Sequence, residues 1–294
     1  MREWGRPGAP LLVLLHGWMD VSASFQFLVD ALAGDWHVIA PDWRGFGLTA
    51  RPTDAPGVDG YWFPDYLADL DALLRHYAGD EAPVHLVGHS MGGNIACLYA
   101  GVRPNRVSTL VSLEGFGLPR AKPEWAPKRF AQWLDEMRAP PTMKAYASLD
   151  EVARRLMKNN PRLGETRARY LAEHWSRPDG QGGHEILGDP AHKRVNPILY
   201  RVEEVLACWE QITAPVLWVA ARQTELFDLW TKGDPEKETR LRADHAERQT
   251  HLKQVRAVTI EDAGHMVHHD QPEQCARLIE DFIAEHGDAR KAAA

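Results

Sequence analysis

The sequence predicts an α/β fold, with a mostly parallel central sheet flanked by helices and an inserted helical cap. Three observations predict it. Short β-rich runs alternate with amphipathic helical patterns along most of the chain, the order expected of a parallel sheet with helical crossovers. Most of these runs are nearly all apolar, as strands buried on both faces require. One long central stretch breaks the alternation.

The strand candidates are, in order, LLVLLHG (residues 11–17), WHVIAPDW (36–43), VHLVGHS (84–90), VSTLVSLEG (107–115), PVLWVAA (215–221) and VRAVTIEDAG (255–264). Helical spacing is found in residues 24–34, 66–79, 93–102 and 272–287, and several of these segments stop at glycine, a frequent helix terminator. Residues 116–206 contain helical patterns such as KRFAQWLDEM and LDEVARRLMKNN, several prolines and the turn-rich PDGQGGHEILGDP. That stretch is too long for an ordinary loop. The expected organisation is a core made of residues 1–115 and 207–294, with 116–206 as a helical cap.

Composition sets limits. The 294 residues are 44% hydrophobic and 26% charged, as in soluble globular proteins. The net charge of −7 argues against a nucleic-acid partner, which selects basic surfaces. No apolar run reaches membrane length, and LLVLL lacks the flanks of a signal segment, so a cytoplasmic location is expected. Cys97, Cys208 and Cys275 are too scattered for a metal or disulfide framework, which fits a reducing compartment. Residues 290–294 read as a frayed tail. Nothing in the sequence indicates an oligomeric state.

The chemistry centres on Gly88-His89-Ser90-Met91-Gly92. G-x-S-x-G arises by chance in about one chain in ten of this length, but here it joins a strand candidate to a helix candidate. A tight turn at that junction exposes the serine hydroxyl, and Gly88 and Gly92 avoid collisions either side of it. A serine nucleophile needs donors for the oxyanion it generates. The N–H of Met91, at the helix start, is one. The N–H of Trp18, in the HGW that closes the first strand, is the second, and its side chain is placed to wall the acyl pocket.

The base should be a histidine at the C-terminal end of a strand, on the same sheet edge as the serine. His265, in DAGHM, meets that condition. His268, His269 and Asp270 complete an H-x-x-H-H-D pattern suggestive of a metal, but nothing upstream supplies further ligands at metal spacing, so no metal is expected. The acid that orients the histidine should lie between Ser90 and His265. Two positions compete: Glu114 after the fourth strand candidate and Glu225 after the fifth. Thr224 stands where an aspartate would be expected, and Glu225 would need a one-residue shift. Glu114 needs none and is preferred, with Glu225 as the alternative.

With HGW, Asp42-Trp43-Arg44-Gly45-Phe46-Gly47, GHSMGG and AGHMVHHDQPE in this order, nearly the whole chain resembles the α/β-hydrolases. HGWMDVSASFQFL, LMKNNPRL and GDPAHKRVNP resemble their serine hydrolase-like branch. The resemblance implies an esterase-type triad, a helical cap and no cofactor. It has two departures: little precedes Leu11 for the usual first hairpin, and no aspartate follows residues 215–221. Some haloalkane dehalogenases carry the acid after the earlier strand, which favours Glu114. They and the epoxide hydrolases use an aspartate nucleophile, against which Ser90 argues.

The expected function is hydrolysis of small to medium apolar acyl or aryl esters through an acyl-enzyme. The cap would select the substrate, with Trp18, Trp125, Phe130, Trp133, Met137, Met143 and Met157 as candidate pocket walls. C–C bond hydrolysis, lactone, thioester or amide cleavage, and perhydrolysis use the same triad. A non-catalytic small-molecule receptor is the alternative of another class.

Overall fold

Alternate residues along the apolar runs face opposite ways, so a run with no polar interruption must be covered on both sides. A computed structural model, describing residues 1–49 and 58–287, shows how. In chain order the core begins with β1 (Arg2–Gly5), β2 (Leu11–Leu15), α1 (Gln26–Asp30), β3 (His37–Ala40), α2 (Phe63–Ala78), β4 (Val84–His89), α3 (Met91–Val102) and β5 (Val107–Leu113). The insert follows, with α4 (Ala126–Arg138), β6 (Ala145–Tyr146), α5 (Leu149–Asn159), α6 (Glu165–Trp175), β7 (Ser176–Pro178) and β8 (His184–Ile186). The core resumes with α7 (Val202–Trp209), β9 (Val216–Ala221), α8 (Leu226–Thr231), α9 (Pro235–Gln249), β10 (Val255–Ile260), α10 (Val267–Asp270) and α11 (Pro272–His286).

The main sheet has the order β1-β3-β2-β4-β5-β9-β10. β1 pairs antiparallel with β3, and the remaining neighbours are parallel. In β2, Val13 and Leu15 pack with α2, α3 and α7 on one face, while Leu12 and Leu14 pack with α1 and α11 on the other. A separate cluster holds the insert together, with Val152 and Ala153 of α5, Leu171 and Ala172 of α6, and Ile186 of β8.

Five features differ from the sequence reading. The sheet does not begin at Leu11: the short, half-exposed β1 precedes it as an edge. β10 is the other edge and is mostly exposed, although its apolar content suggested burial. The insert is not purely helical, since β6, β8 and β7 form a small antiparallel sheet. Strands of two or three residues are too short to show periodicity. Phe116, Val202 and Leu206, counted with the cap, pack into the core cluster. The polar α9 had been passed over altogether; its buried Arg248 donates to the Phe116 carbonyl at 2.9 Å. The tail expected over residues 290–294 lies outside the described residues.

The β4–α3 junction allows no side chain at its glycines. A Cβ on Gly88 would lie 2.4 Å from the Gly92 carbonyl carbon, and one on Gly92 would lie 2.0 Å from the Leu15 carbonyl oxygen. Both obstacles are backbone, so relief requires moving β2 against α3. Gly92→Ala is expected to destabilise the protein by about 3 kcal/mol, lowering the thermal midpoint by roughly 5–10 °C. A midpoint within about 1 °C of wild type in a melting scan would contradict this packing.

Candidate active site

Ser90 sits between β4 and α3 with φ of 52°, a left-handed conformation uncommon outside glycine. Its N–H donates to the Leu113 carbonyl at 2.8 Å, fixing the turn to the neighbouring strand. Its Oγ lies 3.0 Å from His265 Nε2. His265 lies between β10 and α10, with its Nδ1 3.1 Å from Glu114 Oε2. Glu114 is the residue after β5, also left-handed at φ 57°, and is 1% exposed. The structure thus brings Ser90, His265 and Glu114 into one hydrogen-bonded line.

Glu114 is held firmly. The Ala221 N–H donates to its Oε1 at 2.6 Å, and the Thr224 hydroxyl donates to its Oε2. Thr224, which cannot carry the charge itself, therefore steadies the residue that does. Glu225 lies elsewhere. Its Oε2 accepts the backbone N–H of His265 at 2.9 Å, and its Oε1 is 3.5 Å from Arg162. The rest of the histidine loop is pinned by Asp270, which accepts the Gly264 N–H at 2.8 Å, and by His89, whose Nε2 donates to the His265 carbonyl at 2.8 Å. Sequence reasoning assigned no supporting role to Thr224 or Asp270, because each acts through a partner remote in sequence; it read His89 as more apt to orient backbone than to act as a base, and His89 does bond the His265 carbonyl.

Gly17 brings the first loop against the serine: a Cβ on it would lie 3.2 Å from Ser90 Cβ. The Trp18 amide follows directly. Met91 is the first residue of α3, so its N–H belongs to the helix-start donors that lack an intrahelical acceptor. Beside these residues opens a cavity of about 370 Å3, lined by Trp18, Met91, Trp62, Phe63, Tyr66 and Trp133 among others. Trp18 and Trp133 take the expected places. Trp125, Phe130 and Met137 are not among the lining residues, and Trp125 and Phe130 are about half exposed. Trp125 precedes α4, and Phe130 and Met137 share a helical face with Trp133, so spacing alone could not tell which of them reaches the cavity. Met143 and Met157 pack on the insert's own cluster. The aromatic wall of Tyr61, Trp62, Phe63 and Tyr66 went unrecognised because it straddles the start of α2, where too few residues precede the helix to show its period. Neither this cavity nor a larger cleft near Asp42, Leu48 and His174 is lined by Ser90, His265 or Glu114, but the smaller cavity reaches Trp18 and Met91, the residues flanking the serine.

His16 shapes the first loop as a neutral imidazole. Its Nδ1–H donates to the Gly17 carbonyl at 2.7 Å, and its bare Nε2 accepts the Trp43 N–H at 2.9 Å. Burial lowers its pKa to about 4. Burial likewise lowers His192 to about 4, and burial with Arg248 nearby lowers His245 to about 3. Below about pH 6.5 the unfolded chain therefore binds protons that the folded chain refuses. Each such group contributes stability that is complete above that pH and is lost on acidification by up to about 1.4 kcal/mol per pH unit. Asp20, raised to about 6 by burial, acts in the opposite direction between pH 6 and 4. Burial lowers His269 to about 3 and lowers His89 and His268 as well, so the histidines outweigh Asp20 and the net effect of acidification is a loss of stability. Urea unfolding at pH 7, 6 and 5 measures it, and an unchanged free energy would refute the assignment of these histidines as neutral.

The comparisons with known proteins agree with this architecture. The sequence pattern of the alpha/beta hydrolase fold matches residues 10–272. The chain is 28% identical over 285 residues to a serine hydrolase-like protein of Danio rerio, covering 95% of this chain and 83% of that one. It is 26% identical over 285 residues to the 2-(acetamidomethylene)succinate hydrolase of Mesorhizobium japonicum, covering 96% and 90%. Among solved structures, the thioesterase domain from the curacin biosynthetic pathway superposes with a TM-score of 0.80 at 25% identity, covering 95% and 93%. Among the described residues, no helix is long and apolar enough to cross a membrane. The chain is similar to serine hydrolase-like proteins, and it belongs to the α/β-hydrolase fold family.

Proposed function

We propose that the protein hydrolyses small to medium carboxylic esters with apolar acyl or aryl groups, through an acyl-enzyme on Ser90. One observation carries the reading: the continuous path from Ser90 Oγ to His265 Nε2 at 3.0 Å and from His265 Nδ1 to Glu114 at 3.1 Å. With the Nδ1 proton directed at Glu114, Nε2 is free to take the hydroxyl proton as Oγ attacks the carbonyl carbon. The Trp18 and Met91 N–H groups receive the oxyanion. His265 returns the proton to the leaving alcohol, and then activates the water that releases the acid. Glu114 stabilises the imidazolium formed in each half-reaction.

The aromatic lining of the 370 Å3 cavity supports an apolar acyl or aryl group. The insert, as a cap over the core, supplies Trp133 and residues 191–197 to that wall. Turnover of p-nitrophenyl esters from acetate to dodecanoate tests the reading, together with mass-mapped labelling by a fluorophosphonate. Turnover peaking at a short or medium chain, with the label on Ser90, is expected. Folded protein that hydrolyses none of the esters and takes no label would overturn it in favour of a binding role.

A further inference from the structure

Beneath the triad lies a buried polar cluster for which the proposed reaction has no use. Asp20 follows β2, His89 ends β4 and His268 lies on α10. One candidate ligand atom from each lies within 4.8 Å of the other two. Both imidazoles are buried, and Asp20 is nearly so.

The hydrogen bonds fix which nitrogens are bare. His89 Nε2 is 2.8 Å from the His265 carbonyl oxygen, which can only accept, so Nε2 carries the proton. Ser24 Oγ donates its single proton to Asp20 Oδ2 at 2.7 Å. It must then accept from His268 Nε2 and His269 Nε2, each at 2.9 Å. In the neutral rings this leaves Nδ1 of both His89 and His268 as a lone pair, and both atoms are buried without a partner among the described residues. Orphaned buried acceptors are rare and call for an explanation. An imidazole anchored through one N–H, with its other nitrogen bare, is the arrangement that orients metal-binding histidines.

We infer that Asp20, His89 and His268 form a binding site for a divalent transition cation of the zinc type. Two imidazoles and one carboxylate suit zinc, cobalt or nickel better than calcium or magnesium, which favour all-oxygen sets. Three protein ligands leave a coordination position for water. The set is not the H-x-x-H-H-D run. In that run His265 faces Ser90 and Glu114, His269 is committed to Ser24, and Asp270 holds the Gly264 N–H. Only His268 is shared, and the upstream ligands missing from the sequence pattern are Asp20 and His89, brought in by the fold.

The test uses untagged, chelator-treated protein and the metal alone. Titration with Co2+ should give visible d–d absorption saturating at one equivalent. Zn2+ should abolish that absorption, and competition with a chromophoric chelator should give a dissociation constant on the order of micromolar or tighter. His268→Gln and Asp20→Asn, checked for folding by circular dichroism, should each weaken Zn2+ at least tenfold. His251→Gln, at a surface histidine paired with Glu210, should leave it unchanged. Absence of saturable Co2+ absorption in the wild-type protein overturns the site, whatever the variants do. Undiminished affinity in both site variants, or loss in His251→Gln, places any bound ion elsewhere and also overturns it. None of these readouts requires turnover, so they stand or fall separately from the ester reading.

Discussion

Ser90→Ala is expected to lower kcat for an aryl ester by about 10⁵- to 10⁶-fold, while binding contacts and oxyanion donors retain a small rate over water. The size follows from the mechanism: without the hydroxyl there is no acyl-enzyme, and His265 can only assist water directly. The substitution leaves in place the Ser90 N–H bond to Leu113 that fixes the turn, so the melting midpoint should change little beside the rate. Steady-state turnover of purified variant, normalised to fluorophosphonate-titratable sites in the wild type, provides the measurement. Residual activity above about one percent would remove Ser90 from the role of nucleophile.

Glu114→Gln carries the second-largest effect, a loss of about 10⁴-fold in kcat. The glutamine amide can present an N–H to His265 Nδ1, which then becomes the acceptor. The ring proton moves to Nε2, and Nε2 can no longer take the proton of Ser90. Glu225→Gln makes the informative contrast. A glutamine oxygen there still accepts the His265 backbone N–H, so the loop keeps its anchor and the loss should stay below about tenfold, the cost of one weakened hydrogen bond. Kinetics of the two variants on one ester decide the matter. A collapse in Glu225→Gln with Glu114→Gln near wild type would reverse the assignment.

Much of this arrangement was legible in the sequence because local rules carry it. The apolar runs of β2, β4, β5 and β9 exceed what a one-sided strand tolerates, which announced a doubly covered sheet. Gly88 and Gly92 bracket Ser90 because the backbone closes in at both. Placement after a strand singled out His265 among 14 histidines. What escaped notice depends on contacts between distant segments. Thr224 lies 110 residues from the carboxylate it supports. Asp20, His89 and His268 come from three separate elements and share no spacing. β1 and β10 are edge strands, whose half-exposed residues give a weak pattern, and the short strands of the insert give none.

Ser90 and Glu114 each occupy the first position beyond the paired residues His89 and Leu113 of adjoining strands. Their separation is therefore dictated by the rung spacing of a parallel ladder, and nothing short of unzipping the middle of the sheet can alter it. The imidazole rides on an irregular segment beyond an exposed border strand, held by individual hydrogen bonds, among them those of Glu225, Asp270, His89, Gln223 and Gln271. Heat or denaturant should accordingly misalign that one component first, leaving a molecule whose frame is whole and whose chemistry has stopped.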